Sequence, residues 1–308
     1  MAKLSTLKVI ERPQKVIVYG PPKSGKTEFV GKLSEDGFLL DWLDLENGSS
    51  TLVNRISQKG KENINLISVQ DIRDAPRASE TVSQLASNFF KPITMKLCDN
   101  HGRIQCPACL KDKEAEWSEI DLKALQEDRS RVLVIDSWTQ FVQSLIDYHN
   151  NKGNLLNKGS LLESYKKFDW DDWGWLGNIL AGVLGAIQNA PFHIVVISHE
   201  SEVEMVDGSD KLVPTGGSSK FSRSVAKYFD HVLYTTVENR KHSVLSSSVT
   251  SSKILMGTRS GLDTSSGSVS LADILRGATE SNQPKQGANL IKDAQSNAMS
   301  GLSKLGGK

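Results

Sequence analysis

The chain has 308 residues, 38% hydrophobic and 24% charged, and its 37 Lys+Arg against 36 Asp+Glu leave a net charge of +1. That supports a sizeable core and excludes a histone-like protein whose whole surface grips nucleic acid, while allowing a local basic groove. No apolar run reaches the roughly 18 residues of a membrane span, the opening MAKLSTLKVIERPQK lacks an apolar signal core, and all three cysteines lie between positions 98 and 109, so a cytoplasmic protein with no membrane partner and no disulfide scaffold is expected.

Residues 1–14 read as a polar lead. The run KVIVY at 15–19 has the character of a buried strand. A Gly/Pro-rich loop follows, then a helix from about Thr27. FLLDWLDL at 38–45 predicts a second strand and 64–69 a third, and 76–90 has helical spacing. A cysteine-bearing insertion at 92–112 precedes a polar helix expected over 118–129. RVLVID at 131–136 is another buried strand, ending in a carboxylate, and 138–149 reads as helix. The Asn/Gly-rich stretch 150–162 is expected to be mobile. A helix covers much of 170–189, and FHIVVIS at 192–198 is a further strand. Residues 203–213, with Asp207-Gly208 in the middle, predict a β-hairpin. Helix and then strand signals resume at 219–237, with strand-like runs at 243–249 and 253–257. Alternating strands and helices predict an α/β fold with a mostly parallel sheet covered on both faces. From about 263 the chain turns to Ser, Gly, Asn, Gln and Lys. The expected organisation is a lead at 1–14, an α/β domain at 15–262 that carries the insertion at 92–112, and a largely disordered tail at 263–308.

Gly20-Pro21-Pro22-Lys23-Ser24-Gly25-Lys26-Thr27 matches G-x-x-x-x-G-K-[ST] between a predicted strand and a predicted helix. Gly20 and Gly25 let the backbone curl so that successive N–H groups face phosphate oxygens. The helix start adds its positive dipole end. Lys26 is placed to neutralise β/γ-phosphate charge, and the Thr27 hydroxyl to hold Mg²⁺. ATP and Mg²⁺ are therefore the expected cofactors.

Phosphoryl transfer to water also needs a metal-side acid and a group that positions the water. Asp136, closing its strand, suits the metal. The next residue is Ser137, not a glutamate, so the water-orienting group must come from elsewhere. The strand at 38–45 leads into Asp44-Leu45-Glu46, and alternation puts Asp44 and Glu46 on one face. Glu46, the more C-terminal, is the better candidate because ligands in such sheets sit off the carboxyl ends of strands. Its alternative is a solvated turn residue beside Asn47-Gly48.

The phosphate loop, the acids of DLEN and the sequence VLVIDSW together resemble the RecA-type ATPase core. More narrowly, they resemble the RecA-like single-strand annealing and recombination ATPases encoded by phages, over about residues 15–260. The resemblance implies a RecA-like P-loop fold, with Lys26 and Thr27 as phosphate and Mg²⁺ ligands. Glu46 would be the catalytic carboxylate and Asp136 the acid of the metal. It also implies a γ-phosphate sensor at His199, where RecA itself has an amide. It implies a trans-acting cation at Arg259 that reaches a neighbouring subunit. Such proteins bind DNA through two loops, after the strands carrying Asp136 and Ser198. The first loop region here holds Lys152, Lys158, Lys166 and Lys167, with Tyr165, Phe168, Trp170, Trp173 and Trp175 interleaved. Lysines neutralise phosphates and rings stack on unpaired bases, although the tryptophans have helical spacing and would also suit a core. The second is the hairpin with Lys220 and Arg223, one helical turn apart. The implied activity is DNA-stimulated ATP hydrolysis at subunit interfaces of a homo-oligomer, ring or filament. Single-stranded DNA is the implied partner, together with a single-strand-binding protein or other recombination proteins. In a phage protein the location would be the host cytoplasm.

Cys98-Asp-Asn-His101 and Cys106-Pro-Ala-Cys109 are two ligand pairs four residues apart. Cys₃His is a usual structural zinc set, which predicts a Zn²⁺ knuckle. A redox Cys-x-x-Cys and unligated thiols are the alternatives. Two rival functions are an ATP-switched adaptor or loader using the knuckle as its docking surface, and a DNA-translocating motor.

Overall fold

β1 (Lys15–Gly20) is buried at every position. In the computed structural model, which describes residues 12–69, 71, 77–151, 168–238, 241–246, 253–258 and 269–277, this strand lies in the middle of the sheet. After the phosphate loop come α1 (Lys26–Gly31), β2 (Leu39–Asp44), the short helices α2 (Ser50–Arg55) and α3 (Gln58–Lys61), and β3 (Ile64–Ser68). Next are α4 (Arg77–Ala86), β4 (Thr94–Cys98), β5 (Trp117–Asp121), α5 (Leu122–Glu127), β6 (Arg131–Asp136) and α6 (Trp138–Asn151). The rest is α7 (Trp170–Asn189), β7 (His193–Glu204), β8 (Asp210–Pro214), α8 (Ser219–Val225), β9 (His231–Glu238), β10 (Lys241–Leu245), β11 (Gly257–Thr258) and α9 (Leu271–Leu275).

The central sheet runs β10-β9-β1-β7-β6-β2-β3. From β9 to β3 every pairing is parallel; β10 and β11 join β9, and β8 joins β7, in antiparallel fashion. The strand carrying Asp136 is separated from the phosphate-loop strand by β7. This is a RecA-like P-loop core. Strand alternation divides the apolar residues between two faces. Val16, Val18, Trp42, Val132, Val134, Val195 and Ile197 join one core, covered by Val30 of α1, Leu52 of α2 and α9. Ile17, Tyr19, Leu43, Leu133, Ile135, Ile194 and Val196 join the other, covered by α4, α5, α6 and α7. Each such side chain contributes about 1.5–3 kcal/mol on burial, and the two-sided cover explains why these strands read as unbroken apolar runs.

Three expectations differ. The polar helix expected over 118–129 begins as β5, which pairs with β4 in a two-stranded antiparallel sheet. Helix α5 starts only after Asp121, whose carboxylate caps the Ala124 N–H at 3.0 Å. Cross-strand pairing overrides the local helical pattern here. The insertion is correspondingly longer than 92–112. The run at 192–198 continues to Glu204, because its second half pairs with β8. Finally, α9 lies beyond the expected boundary at 262, and Leu271, Ala272, Ile274 and Leu275 are buried in the core. All described residues belong to one compact unit, Met1–Gly277. No helix among them is long and apolar enough to cross a membrane.

Candidate active site

Parallel register fixes which residues meet at the carboxyl ends of the strands. Gly20 on β1 stands beside His199 on β7, and Asp136 on β6 stands beside Asp44 on β2. Four neighbouring strands thus deliver the phosphate loop, a histidine and two acids to one edge of the sheet, where ligands of such folds bind.

The loop is shaped by contacts that tolerate only glycine at two points. Gly20 has φ +154°, and a Cβ there would lie 2.3 Å from the Thr235 carbonyl oxygen on β9. Gly25 has φ +90°, and its Cβ would lie 2.9 Å from His242 Nδ1 on β10. Ser24 Oγ and Thr235 Oγ1 are 2.6 Å apart. His242 Nδ1 meets the Ser24 carbonyl at 2.9 Å. Lys26 is buried, and its Nζ donates to the carbonyls of Gly20 at 3.0 Å and Pro21 at 2.8 Å. Burial lowers its pKa, while the charges of Glu46, Asp136 and Glu200 oppose that shift.

Thr27 Oγ1 donates to Asp136 Oδ2 at 3.1 Å. Burial pushes the Asp136 carboxyl up to about 7, and the negative charges of Glu46 and Asp44 push the same way. Thr27 and Lys26 pull it back. A buried carboxylate crowded by two others beside a threonine hydroxyl is an oxygen donor set fitted to a hard divalent cation such as Mg²⁺. These two residues would hold it.

Asp44 and Glu46 separate into different roles. Both Asp44 oxygens are occupied by backbone donors: Glu46 N–H at 3.2 Å, Gly48 N–H at 2.9 Å and Ser49 N–H at 3.0 Å. Asp44 therefore shapes the turn. Glu46 instead accepts a hydrogen bond from the Ser137 hydroxyl and lies 3.4 Å from His199 Nε2. Burial alone would raise its pKa, but hydrogen bonds from His199 and Ser137 and the charges of His199 and Lys26 outweigh it, so the net shift is downward. The His199 N–H donates to Thr139 Oγ1 at 2.8 Å, which holds the backbone, whereas His199 Nδ1 is buried with no hydrogen-bond partner among the described residues. Next in the chain, Glu200 accepts from the Tyr234 hydroxyl at 2.8 Å.

The fold thus brings together Gly20, Pro21, Pro22, Lys23, Ser24, Gly25, Lys26, Thr27, Glu46, Asp136 and His199. Arg259, Lys166 and Lys167 lie outside the described residues. Lys220 is exposed on α8, and Arg223 is half-buried with its Nε unpartnered among the described residues. Trp170 is 90% and Trp173 39% exposed, so these two are not core, whereas Phe168 and Trp175 pack against it. Trp173 packs on Phe168 at 4.9 Å, and His149 packs on both Phe168 and Trp175. Cys98, His101, Cys106 and Cys109 converge, their ligand atoms all within 4.8 Å of one another. Sequence reasoning missed Thr139, Thr235 and His242, and noted Ser137 only for not being an acid. The partners of these residues are remote in sequence, so no local motif announces them.

Among solved structures, the chain is similar to the RadB recombinase at 13% identity and TM-score 0.39, over 76% of this chain and 80% of that one. It is also similar to a prototypical ATPase from the type III secretion system of pathogenic bacteria, at 11% identity and TM-score 0.38, over 73% of this chain and 52% of that one. No curated protein matches the sequence. The family model for the AAA domain matches residues 12–269. That span holds the whole phosphate loop, its acids and its histidine, and the chain belongs to the AAA domain family.

Proposed function

We propose that the protein is a Mg²⁺-ATP-dependent, single-stranded-DNA-binding ATPase of homologous recombination or strand annealing, encoded by a phage and acting in the host cytoplasm. The observation that carries hydrolysis is the convergence of Glu46, Ser137 and His199 beside the phosphate loop. Glu46 stays ionised because its pKa is lowered, so it can take the proton of an attacking water. Ser137 and His199 hold that carboxylate in place. His199 sits beside Gly20 across the sheet, where its imidazole can also donate to the γ-phosphate. Lys26 moves from the carbonyls of Gly20 and Pro21 to phosphate oxygens, exchanging neutral acceptors for charged ones. When bound, Mg²⁺ supplies positive charge against the β- and γ-phosphates.

DNA binding is supported by the exposed rings of Trp170 and Trp173, which border the lysine-bearing segment 152–167, and by Lys220 on α8. Flat exposed rings offer stacking surface that any unpaired base can use. Arg259, carried by a neighbouring subunit, would complete the site in a ring or filament, and a single-strand-binding protein is the natural companion. The test is ATP turnover of the purified protein with and without single-stranded DNA, over a salt series. Stimulation that fades with salt is expected. Turnover equal with and without DNA rejects the recombination reading and leaves the ATPase.

One observation favours a second reading, the ATP-switched adaptor. Phe90, Ile93 and Leu110 are exposed, and Ile93 and Leu110 border a groove of about 760 Å³ beside the cysteine cluster. ATP-dependent recovery of one defined partner protein, with no effect of DNA, would support it.

A further inference from the structure

We propose that Cys98, His101, Cys106 and Cys109 hold one structural Zn²⁺ ion that clasps the β4–β5 insertion onto the edge of the ATPase sheet. The inference is independent of the ATPase and DNA readings.

The geometry fits. The four ligand atoms lie within 4.8 Å of one another. His101 Nδ1 is 3.1 Å from Cys109 Sγ and 3.5 Å from Cys106 Sγ. A tetrahedral ion with Zn–S of about 2.3 Å and Zn–N of about 2.0 Å spaces its nitrogen and sulfur ligands by roughly 3.5 Å. The backbone forms two tight turns around that point. His101 and Gly102 N–H groups return to the Cys98 carbonyl at 3.3 and 2.6 Å, and the Leu110 N–H returns to the Cys106 carbonyl at 2.9 Å. Gly102 and Gln105 both hold positive φ.

The insertion needs such a clasp. Met95, Leu97 and Ile120 of its two strands belong to the main core, but the turns between those strands centre on the three cysteines, with Ala115 and Trp117 packed against them. So small a core cannot offset the entropy of ordering the turns, whereas a bound ion can. All four coordination positions come from the protein, so no open position is left for a substrate, and the role is structural.

The clasp is also docked. The ligand turn is pressed so closely on the end of β3 that a Cβ on Gly102 would lie 2.8 Å from both the Ser68 carbonyl oxygen and Val69 Cα. Thr81 of α4 donates to the Gly102 carbonyl at 2.6 Å, and Arg77 to the His101 carbonyl at 3.4 Å. Arg103 pairs with Glu80 at 2.9 Å. The residues between the ligands are thus the ones that grip the sheet edge, and fixing the ligands fixes the grip.

The experiment uses the full chain purified without added metal. Elemental analysis and native mass spectrometry are expected to find about one zinc per chain, and replacement by Co²⁺ is expected to give the intense visible bands of tetrahedral thiolate ligation. His101→Cys, which keeps four ligands, should retain the metal. His101→Ala should lower zinc affinity by about 10-fold or more. Wild-type protein that is folded, holds no zinc and has three alkylatable thiols overturns the proposal. So does a mass lowered by the two hydrogens of a disulfide, or iron in place of zinc. Because the wild-type measurement decides, a variant that fails to fold does not blur the outcome.

Discussion

The two ends of the central sheet carry similar inventories of charge and treat them in opposite ways. At the amino end, Lys15, Asp230, His231 and His193 each meet a partner within the protein. The buried Lys15 ammonium donates to the carbonyls of Phe192 at 2.8 Å and Pro13 at 3.3 Å. Asp230 accepts the Lys15 N–H at 3.2 Å and pairs with the Arg12 guanidinium. His231 lies between Thr258 Oγ1 at 2.9 Å and Gln14 Oε1 at 3.0 Å. His193 Nδ1 accepts the Gln14 N–H at 3.0 Å. At the carboxyl end, Asp136 is crowded by Glu46 and Asp44, Lys26 rests on two carbonyls, and His199 Nδ1 has no partner among the described residues. A finished network rigidifies a fold, whereas an unfinished one is completed by a ligand. The difference separates a structural polar cluster from a candidate active site when residue types alone do not.

The comparison breaks most sharply at Lys26. Lys26→Ala should reduce ATP turnover on the order of 10³-fold or more, because the phosphate charge then lacks its fixed cation. Steady-state turnover checks it, and near-normal rates would sink the nucleotide assignment. Glu46→Gln should keep nucleotide affinity and lower turnover by about 10²–10³-fold, since the amide preserves shape and removes the proton acceptor. Nucleotide binding and turnover measured on the same sample separate the two effects. Asp44→Asn should behave differently, with the damage falling on stability because Asp44 serves backbone donors.

The amino end is probed by acid. Burial, with Lys15 and Arg129 nearby, lowers the His193 pKa from the ordinary 6.5 to about 4. Between these values the unfolded chain takes a proton that the folded chain refuses, so stability is full above pH 6.5 and falls as pH drops toward 4. The full effect is about 3 kcal/mol. Denaturant melts across that window should show the loss in the wild type and a flatter profile in His193→Gln, with ATP affinity at neutral pH unchanged. The smallest effect belongs to the exposed rim. Trp170→Ala should leave stability within about 0.5 kcal/mol of wild type and weaken single-stranded DNA binding by about 1–3 kcal/mol. Equal binding by both proteins would remove that ring from the DNA path.

Much of this was legible in the chain. The phosphate loop is contiguous, so its glycines, Lys26 and Thr27 declare themselves. Strands buried on both faces leave apolar runs such as KVIVY and RVLVID that few other structures produce. Glu46 followed from strand alternation and the carboxyl-end rule, and the ligand spacing from Cys98 to Cys109 marked a single cluster. The β5 strand was misread because its partner is supplied from across an insertion, and α9 was missed because five residues in a Ser/Gly-rich stretch carry almost no periodic signal.

The amino-acid sequence by itself determined the chemistry available: a phosphate-loop motif, acids at two strand ends, and three cysteines and a histidine at metal-ligand spacing. Only the tertiary structure decided which of these groups act together. Ser24 and Thr235 are 211 residues apart, and Ser137 and Glu46 91. Parallel register, which depends on the packing of whole strands, is what places them in contact. Tertiary structure likewise assigned Asp44 to the turn and Glu46 to the site, although both sit on one strand end with the same charge. The physical reason is that a carboxylate's role is set by the donors its two oxygens meet. Those donors come from backbone and strands whose positions no local pattern encodes.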